Sequence, residues 1–102
     1  YLDQFEGDDV LLSALSKGSI GDAFVEIGQL DDAFDYYIQA SKVNENLFST
    51  PKYLYKAAIT ASKIGKLNQS IDLLKKIKKD FPESEQSGYV EVQIGRLETS
   101  LK

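Results

Sequence analysis

The chain of 102 residues contains no cysteine and no histidine, and these two absences exclude several kinds of chemistry. Without cysteine there are no disulfides, thiolate metal sites or thiol nucleophiles. Without histidine the chain lacks the usual general base and the commonest metal ligand. We therefore expect a protein that is not an enzyme and that uses no cofactor or metal. An enzyme here would have to rely on carboxylates, lysines or tyrosines alone.

Long apolar runs are also missing, and none approaches the roughly 20 residues that a membrane-spanning helix requires. We expect no direct membrane contact by this segment. The net charge of −4 argues against nucleic acid as the main ligand. With 42% hydrophobic and 11% aromatic residues, the composition is typical of a folded globular domain. These features disfavour nucleic acid and membrane as partners of this segment.

Charge is distributed unevenly along the chain. Residues 1–50 carry ten acidic residues against two lysines, whereas residues 51–102 carry ten basic residues against six acidic ones. Such a dipole can steer a charged partner or stack one copy on another, although solvated helix faces that differ in charge are the favoured interpretation. A solvated outer face is likewise favoured over an anionic-surface patch for four clustered lysines: Lys75, Lys76, Lys78 and Lys79.

Apolar residues recur at spacings of three and four in five segments, and no segment alternates as a strand does. The pattern predicts an all-α fold of about five helices. Its expected apolar faces are Val10, Leu11, Ala14, Leu15, Ile20, Phe24 and Ile27; Ala33, Phe34, Tyr37, Ile38 and Ala40; Leu54, Ala57, Ala58, Ala61 and Ile64; Leu67, Ile71, Leu74, Ile77 and Phe81; and Val90, Ile94, Leu97 and Leu101.

Residues typical of helix ends stand at the junctions. Gly28 and Gly65 occupy the position after a helix, where glycine adopts the left-handed conformation at little cost. Short polar side chains that cap orphan N–H groups are expected at the helix starts: Asp8 and Asp9, Asp31, Thr50 before Pro51, and Asn68. We expect Ser84 to start the fifth helix. Capping is also the favoured explanation of the paired carboxylates, rather than acid–base or metal chemistry.

An internal repeat becomes visible when Gly28 is aligned with Gly65, 37 residues later. Ile-Gly-Gln-Leu at 27–30 then coincides with Ile-Gly-Lys-Leu at 64–67. Further pairs follow in the same register: Phe24 with Ala61, Ala33 with Ser70, Tyr37 with Leu74, and Ala40 with Ile77. Each unit is therefore a helix, a turn containing glycine, and a second helix.

This pattern resembles the tetratricopeptide repeat, whose unit of about 34 residues would need a three-residue insertion in the loop 43–50. The small residues that the family places between its paired helices correspond to Gly21 and Ala58. The first unit lacks the closing proline, with Glu45 in its place, and the second lacks both aromatics. The resemblance implies an antiparallel helix-turn-helix right-handed superhelix: one domain, 1–102, with repeats at 14–47 and 51–84 and a capping helix at 85–102.

In that family the first helix of each pair lines a concave groove. The resemblance therefore implies a partner-binding groove formed by Asp22, Val25 and Glu26 with Lys52, Tyr55, Ile59, Ser62 and Lys63. Spacing on the last helix extends this wall to Tyr89, Gln93 and Arg96. We expect a non-catalytic module that binds a peptide or partner helix, and the alternative that these residues merely pack or face solvent stays open. The second hypothesis is self-association, in which acidic N-terminal helices stack on basic C-terminal helices.

A second resemblance concerns three segments, at 7–11, 21–28 and 50–54. They are similar to bacterial single-anchor repeat proteins, which themselves resemble the periplasmic ancillary subunit of the Sec translocon. Because the chain does not begin with Met, we expect it to be part of a longer protein. The resemblance implies a scaffold or chaperone-like protein at the periplasmic face of a membrane, and a cytoplasmic location remains equally open.

Overall fold

The protein forms five helices, seen in a computed structural model that describes the backbone of residues 6–43 and 46–101 and the side chains from residue 16 onward. The helices are α1 (Glu6–Glu26), α2 (Leu30–Lys42), α3 (Ser49–Lys63), α4 (Leu67–Asp80) and α5 (Ser87–Leu101). No strand occurs in these ranges, and each helix packs mainly on its neighbours in sequence. The all-α prediction is thereby confirmed.

The two glycine turns have the same construction. Gly28 and Gly65 have φ values of +81° and +84°, the left-handed backbone expected of them. The bonds that close each helix recur at an offset of 37 residues: the N–H of Gln29 donates to Phe24 and that of Lys66 to Ala61, both at 2.9 Å, while Gly28 donates to Val25 at 3.1 Å and Gly65 to Ser62 at 3.3 Å. This pairing of bonds is the Schellman motif.

The side chains predicted to cap α2 and α4 lie two residues after the observed N-caps. The N-cap of α2 is Gln29 and that of α4 is Lys66, and neither helix start has a capping bond from a side chain. Asp31 and Asn68 lie in the first turns instead, because each Schellman turn leads directly into the next helix. There the Asp31 carboxylate still favours the positive end of the helix dipole.

The start of α3 also differs from the prediction, which placed Thr50 at the N-cap and Pro51 at the first helical position. The helix begins at Ser49, because Asn46 makes the bonds that start it. Its Oδ1 accepts from the N–H groups of Phe48 at 2.8 Å and Ser49 at 2.7 Å. Thr50 Oγ1 accepts the N–H of Asn46 at 2.8 Å and so closes the loop from the other side.

Two further helix ends are set by the Phe81-Pro82 pair and by Ser84. The fourth helix stops at Asp80, with Phe81 as its C-cap, as predicted. The fifth begins at Ser87 rather than Ser84. A turn separates them, in which Ser84 Oγ accepts the N–H of Ser87 at 3.3 Å.

The predicted cap residues Asp8 and Asp9 lie within the first turns of α1, which begins at Glu6. Their side chains lie outside the described part of the chain. The same holds for the side chains of four residues of the expected apolar face, Val10, Leu11, Ala14 and Leu15, and for Glu45 as a whole.

The core consists of two apolar clusters that share α3. One joins α2 to α3 through Ala33, Tyr37, Ala40, Tyr53 and Ala57. The other joins α3 to α4 and α5 through Leu54, Ala58, Ile71, Leu74, Ile77, Val90 and Leu97. The neighbouring alanines of α3 let a helix approach closely on each side of it.

The buried face of α1 differs from the predicted one at Ile20 and Ile27, whereas Gly21 lies between helices as the repeat pattern implied. Ile20 and Ile27 are 40% and 65% exposed, so they do not face the core. Gly18 and Gly21 are buried instead, because the rings of two tyrosines on α2 and α3 fill the space beside them. Phe24, as predicted, packs against the cluster between α2 and α3.

Candidate partner-binding groove

Three predicted groove residues come together on α3. Tyr55, Ile59 and Lys63 recur at intervals of four, which places them on one face of the helix. They line an open pocket of about 210 Å³ together with Tyr37, Lys56 and Thr60. We call these six residues the α3 pocket. It combines aromatic and aliphatic surface with two ammonium groups.

The last helix contributes the second group of predicted residues. The rings of Tyr55 and Tyr89 meet edge to face, with centroids 5.0 Å apart and an interplanar angle of 66°. Burial and Tyr89 raise the pKa of the Tyr55 hydroxyl, while a hydrogen bond from Gln93 and the charge of Arg96 partly oppose them. Tyr89, Gln93 and Arg96 are therefore all close to Tyr55, and α5 continues the surface of the α3 pocket.

Asp22 of α1 is held by two partners and does not project freely. The Tyr37 hydroxyl donates to its Oδ1, and Lys56 Nζ lies 3.0 Å from Oδ1 and 3.2 Å from Oδ2. Partial burial raises the pKa of Asp22, but Tyr37, Lys56 and the more distant Lys52 together lower it by more. The Asp22 carboxylate is thus ionised and bound within the chain.

This cluster fixes one wall of the α3 pocket. Burial and the Asp22 carboxylate raise the pKa of the Tyr37 hydroxyl well above its ordinary value, so it remains a hydrogen-bond donor. Lys56 Nζ lies 5.6 Å from the centre of the Tyr37 ring, within reach of a cation–π interaction. Three helices therefore orient Tyr37 and Lys56 before any partner arrives.

The remaining predicted residues of α1 and α3 do not line the α3 pocket. Val25 packs against the α2–α3 cluster, and Glu26 is exposed. Lys52 Nζ lies 5.4 Å from the Tyr53 ring centre. Ser62 donates its hydroxyl to the Ile59 carbonyl at 2.6 Å.

Two residues of the α3 pocket, Lys56 and Thr60, were not among the predicted groove residues. Their spacing offered a signal, because Lys56, Ile59, Thr60 and Lys63 follow the one-face pattern i, i+3, i+4 and i+7. Tyr37 was assigned to the core instead. It belongs to both, since its ring is buried while the residue also lines the pocket.

Most lysines of the α4 run pair with acidic residues of the same chain. Lys78 pairs with Glu91, Lys75 with Glu98 at 3.9 Å and Lys76 with Asp80 at 4.0 Å. These groups are roughly half exposed, and such pairs contribute about 0–1 kcal/mol each. Self-association of acidic N-terminal helices with basic C-terminal helices stays a prediction. Three of the four α4 lysines that it could use already pair with carboxylates of the same chain.

None of the helices in the described part of the chain has the length and apolar character needed to cross a bilayer. In comparisons with known proteins, no family model, curated protein or solved structure matches the chain.

Proposed function

We propose that this chain is a non-catalytic protein-interaction module that binds a peptide or a partner helix across the α3 pocket and the adjoining face of α5. The observation that carries the proposal is the convergence of Tyr55, Ile59 and Lys63 in one open pocket, with Tyr89 against Tyr55. Exposed aromatic and aliphatic groups are typical anchors of a protein partner.

The tetratricopeptide repeat is the proposed type of helical hairpin. The identical turns at Gly28 and Gly65 support it. So do the small residues expected between paired helices, since Gly21 contacts Tyr37 of α2 and Ala58 is fully buried in the α3–α4 core. In this interpretation α3 is the first helix of the second unit, and its exposed face lines the groove.

The α3 pocket favours binding because it is ordered in advance. Tyr37 and Lys56 are fixed through Asp22, so less conformational entropy is lost when a partner binds than with free side chains. Lys63 and Arg96 flank the apolar surface, where charges contribute more to register and association rate than to affinity. A membrane-tethered bacterial scaffold remains the proposed context, and it rests on sequence resemblance alone.

Selection from a display library of random peptides tests the proposal. We expect selected peptides to lose at least about tenfold in affinity for a variant combining Tyr55→Ala and Lys63→Glu. The matched control combines Gln69→Ala and Asp72→Lys on a different pocket, between α2 and α4, and should bind within about twofold of wild type. Equal binding by both variants would refute the groove assignment.

Self-association is tested by sedimentation at low and high salt. Assembly driven by charge should dissociate as salt rises, because screening shortens the range of attraction to about 10 Å at 0.1 M. A monomer under both conditions would exclude this alternative, and it would leave the peptide-binding proposal intact.

A further inference from the structure

The loop before α3 and the end of α4 form an apolar surface separate from the α3 pocket. Leu47 and Phe48 are 73% and 87% exposed, more than any other large apolar side chain in the described part of the chain. They line a pocket of about 290 Å³ together with five consecutive residues, the last residue of α4 and the four that come after it: Asp80, Phe81, Pro82, Glu83 and Ser84. We call this surface the loop pocket.

Local hydrogen bonds hold both walls of the loop pocket in place. Asn46 Oδ1 accepts the Phe48 N–H at 2.8 Å and so fixes the backbone that presents this ring. On the other wall, the N–H and hydroxyl of Ser84 both donate to the Phe81 carbonyl, at 3.0 and 2.7 Å. Bonds within the chain therefore hold both walls in place. A cluster of exposed apolar side chains of this kind is typical of an interaction site.

Carboxylates on the rim indicate the charge of that partner. Asp80 lies 4.0 Å from Lys76, whereas Glu83 makes no salt bridge with any described residue. Because Lys76 offsets Asp80, Glu83 carries the net negative charge of the rim, which attracts cations and opposes the anionic headgroups of a lipid surface. The combination of exposed Phe48 with unpaired Glu83 therefore favours a basic, partly apolar protein segment over a membrane.

We propose that the loop pocket binds an extended basic peptide segment. One bulky apolar side chain would enter between Phe48 and Pro82, and a neighbouring lysine or arginine would pair with Glu83. The volume of about 290 Å³ lies at the small end of ligand pockets, which measure about 300–1,000 Å³. It suits one anchoring side chain. The site is independent of the α3 pocket, whose Lys63 and neighbouring Arg96 repel a basic peptide.

The probe is a fluorescein-labelled peptide of alternating leucine and lysine, which places its leucines on one face when extended. Fluorescence anisotropy measures its binding to the full chain. We expect Phe48→Ser and Glu83→Lys each to weaken binding by about tenfold. The matched controls are Ile27→Ser, another exposed apolar residue, and Asp35→Lys on an exposed position of α2, and both should stay within about twofold of wild type.

Four results would overturn the proposal. They are no saturable binding up to about 1 mM, wild-type affinity in the Phe48→Ser and Glu83→Lys variants, binding of a leucine–glutamate peptide as tight as that of the leucine–lysine peptide, and preferential capture by vesicles of phosphatidylcholine with phosphatidylglycerol. Far-UV circular dichroism checks the fold of each variant. If Phe48→Ser fails to fold, Glu83→Lys, at an exposed rim position, still decides the question.

Discussion

The Tyr37 ring lies directly against Gly21, so that a Cβ placed on this glycine would come within 2.7 Å of Tyr37 Cε1. The ring has little freedom to retreat. Its hydroxyl donates to Asp22, and its face stacks on Tyr53 with centroids 6.5 Å apart. The close approach of α1 to α2 therefore depends on the absence of a side chain at position 21.

The first prediction concerns that contact. Gly21→Ala gains about 1 kcal/mol of helix propensity, but overpacking against a held ring costs about 1–3 kcal/mol. We expect the free energy of unfolding to fall by up to about 2 kcal/mol, as measured by urea denaturation. Gly95→Ala is the matched control: nothing lies within 4 Å of its Cβ position, so it should gain about 0.5–1 kcal/mol. Equal gains at both sites would contradict the packing described.

The second prediction concerns acid stability. Because the pKa of Asp22 is lowered by folding, its contribution is present above its ordinary pKa of 3.8 and is lost as pH falls through the lower folded value. Asp22→Asn should therefore destabilise the protein by up to about 1 kcal/mol at neutral pH, because the Asp22–Lys56 pair is partly exposed. The difference from wild type should shrink as pH falls below 3.8 and vanish once Asp22 is protonated in the folded protein.

Thermal unfolding across this pH range measures the effect, and Asp35→Asn serves as the control for removing one negative charge of the acidic half. A constant difference between wild type and Asp22→Asn at every pH would show that the carboxylate charge is not what stabilises the cluster.

The third prediction concerns the left-handed turns. Gly28→Ala and Gly65→Ala should each cost about 1–2 kcal/mol, because an L side chain is strained in this backbone conformation. The cost is purely conformational, since nothing lies within 4 Å of either Cβ position. Asparagine at the same positions should cost less. The measurement is urea denaturation of the four variants. Tolerance of alanine at one position but not at the other would contradict the equivalence of the two turns.

The fourth prediction concerns the contact between α3 and α5. A double-mutant cycle on Tyr55→Leu and Tyr89→Leu should give a coupling energy of about 0.5–1.5 kcal/mol, the range for an edge-to-face aromatic pair. Urea denaturation of the two single variants and the double variant provides it. Strictly additive effects would mean that α5 does not extend the α3 pocket through this pair.

Local patterns predicted much of the fold. The turns at Gly28 and Gly65 close through bonds that span only a few residues, so their position can be predicted from the glycine and its flanking helices. The face of α1 was predicted wrongly at Ile20 and Ile27 for a physical reason, although the repeat pattern did place Gly21 between paired helices. Apolar periodicity detects side chains that a helix carries, whereas Gly18 and Gly21 face the core because rings from other helices need their space.

The candidate site was predictable to a similar extent. Tyr55, Ile59 and Lys63 share a helix face, and their convergence depends on helical spacing alone. The role of Asp22 was not predictable, because its partners Tyr37 and Lys56 lie 15 and 34 residues away. The start of α3 was missed for another reason: Asn46 competes with Thr50 for the capping role, and sequence preference favours both.

Because α3 belongs to both core clusters, its position has a consequence for local unfolding of the chain. Contacts between neighbouring helices in sequence favour rapid folding and progressive loss of structure from the ends. Amide protons of α3 should then exchange with solvent last, because neither terminal helix can detach in a way that uncovers both of its sides. A destabilising substitution in α3 would separate the α1–α2 half of the fold from the α4–α5 half. A destabilising substitution in α1 or α5 would only unfold that terminal helix.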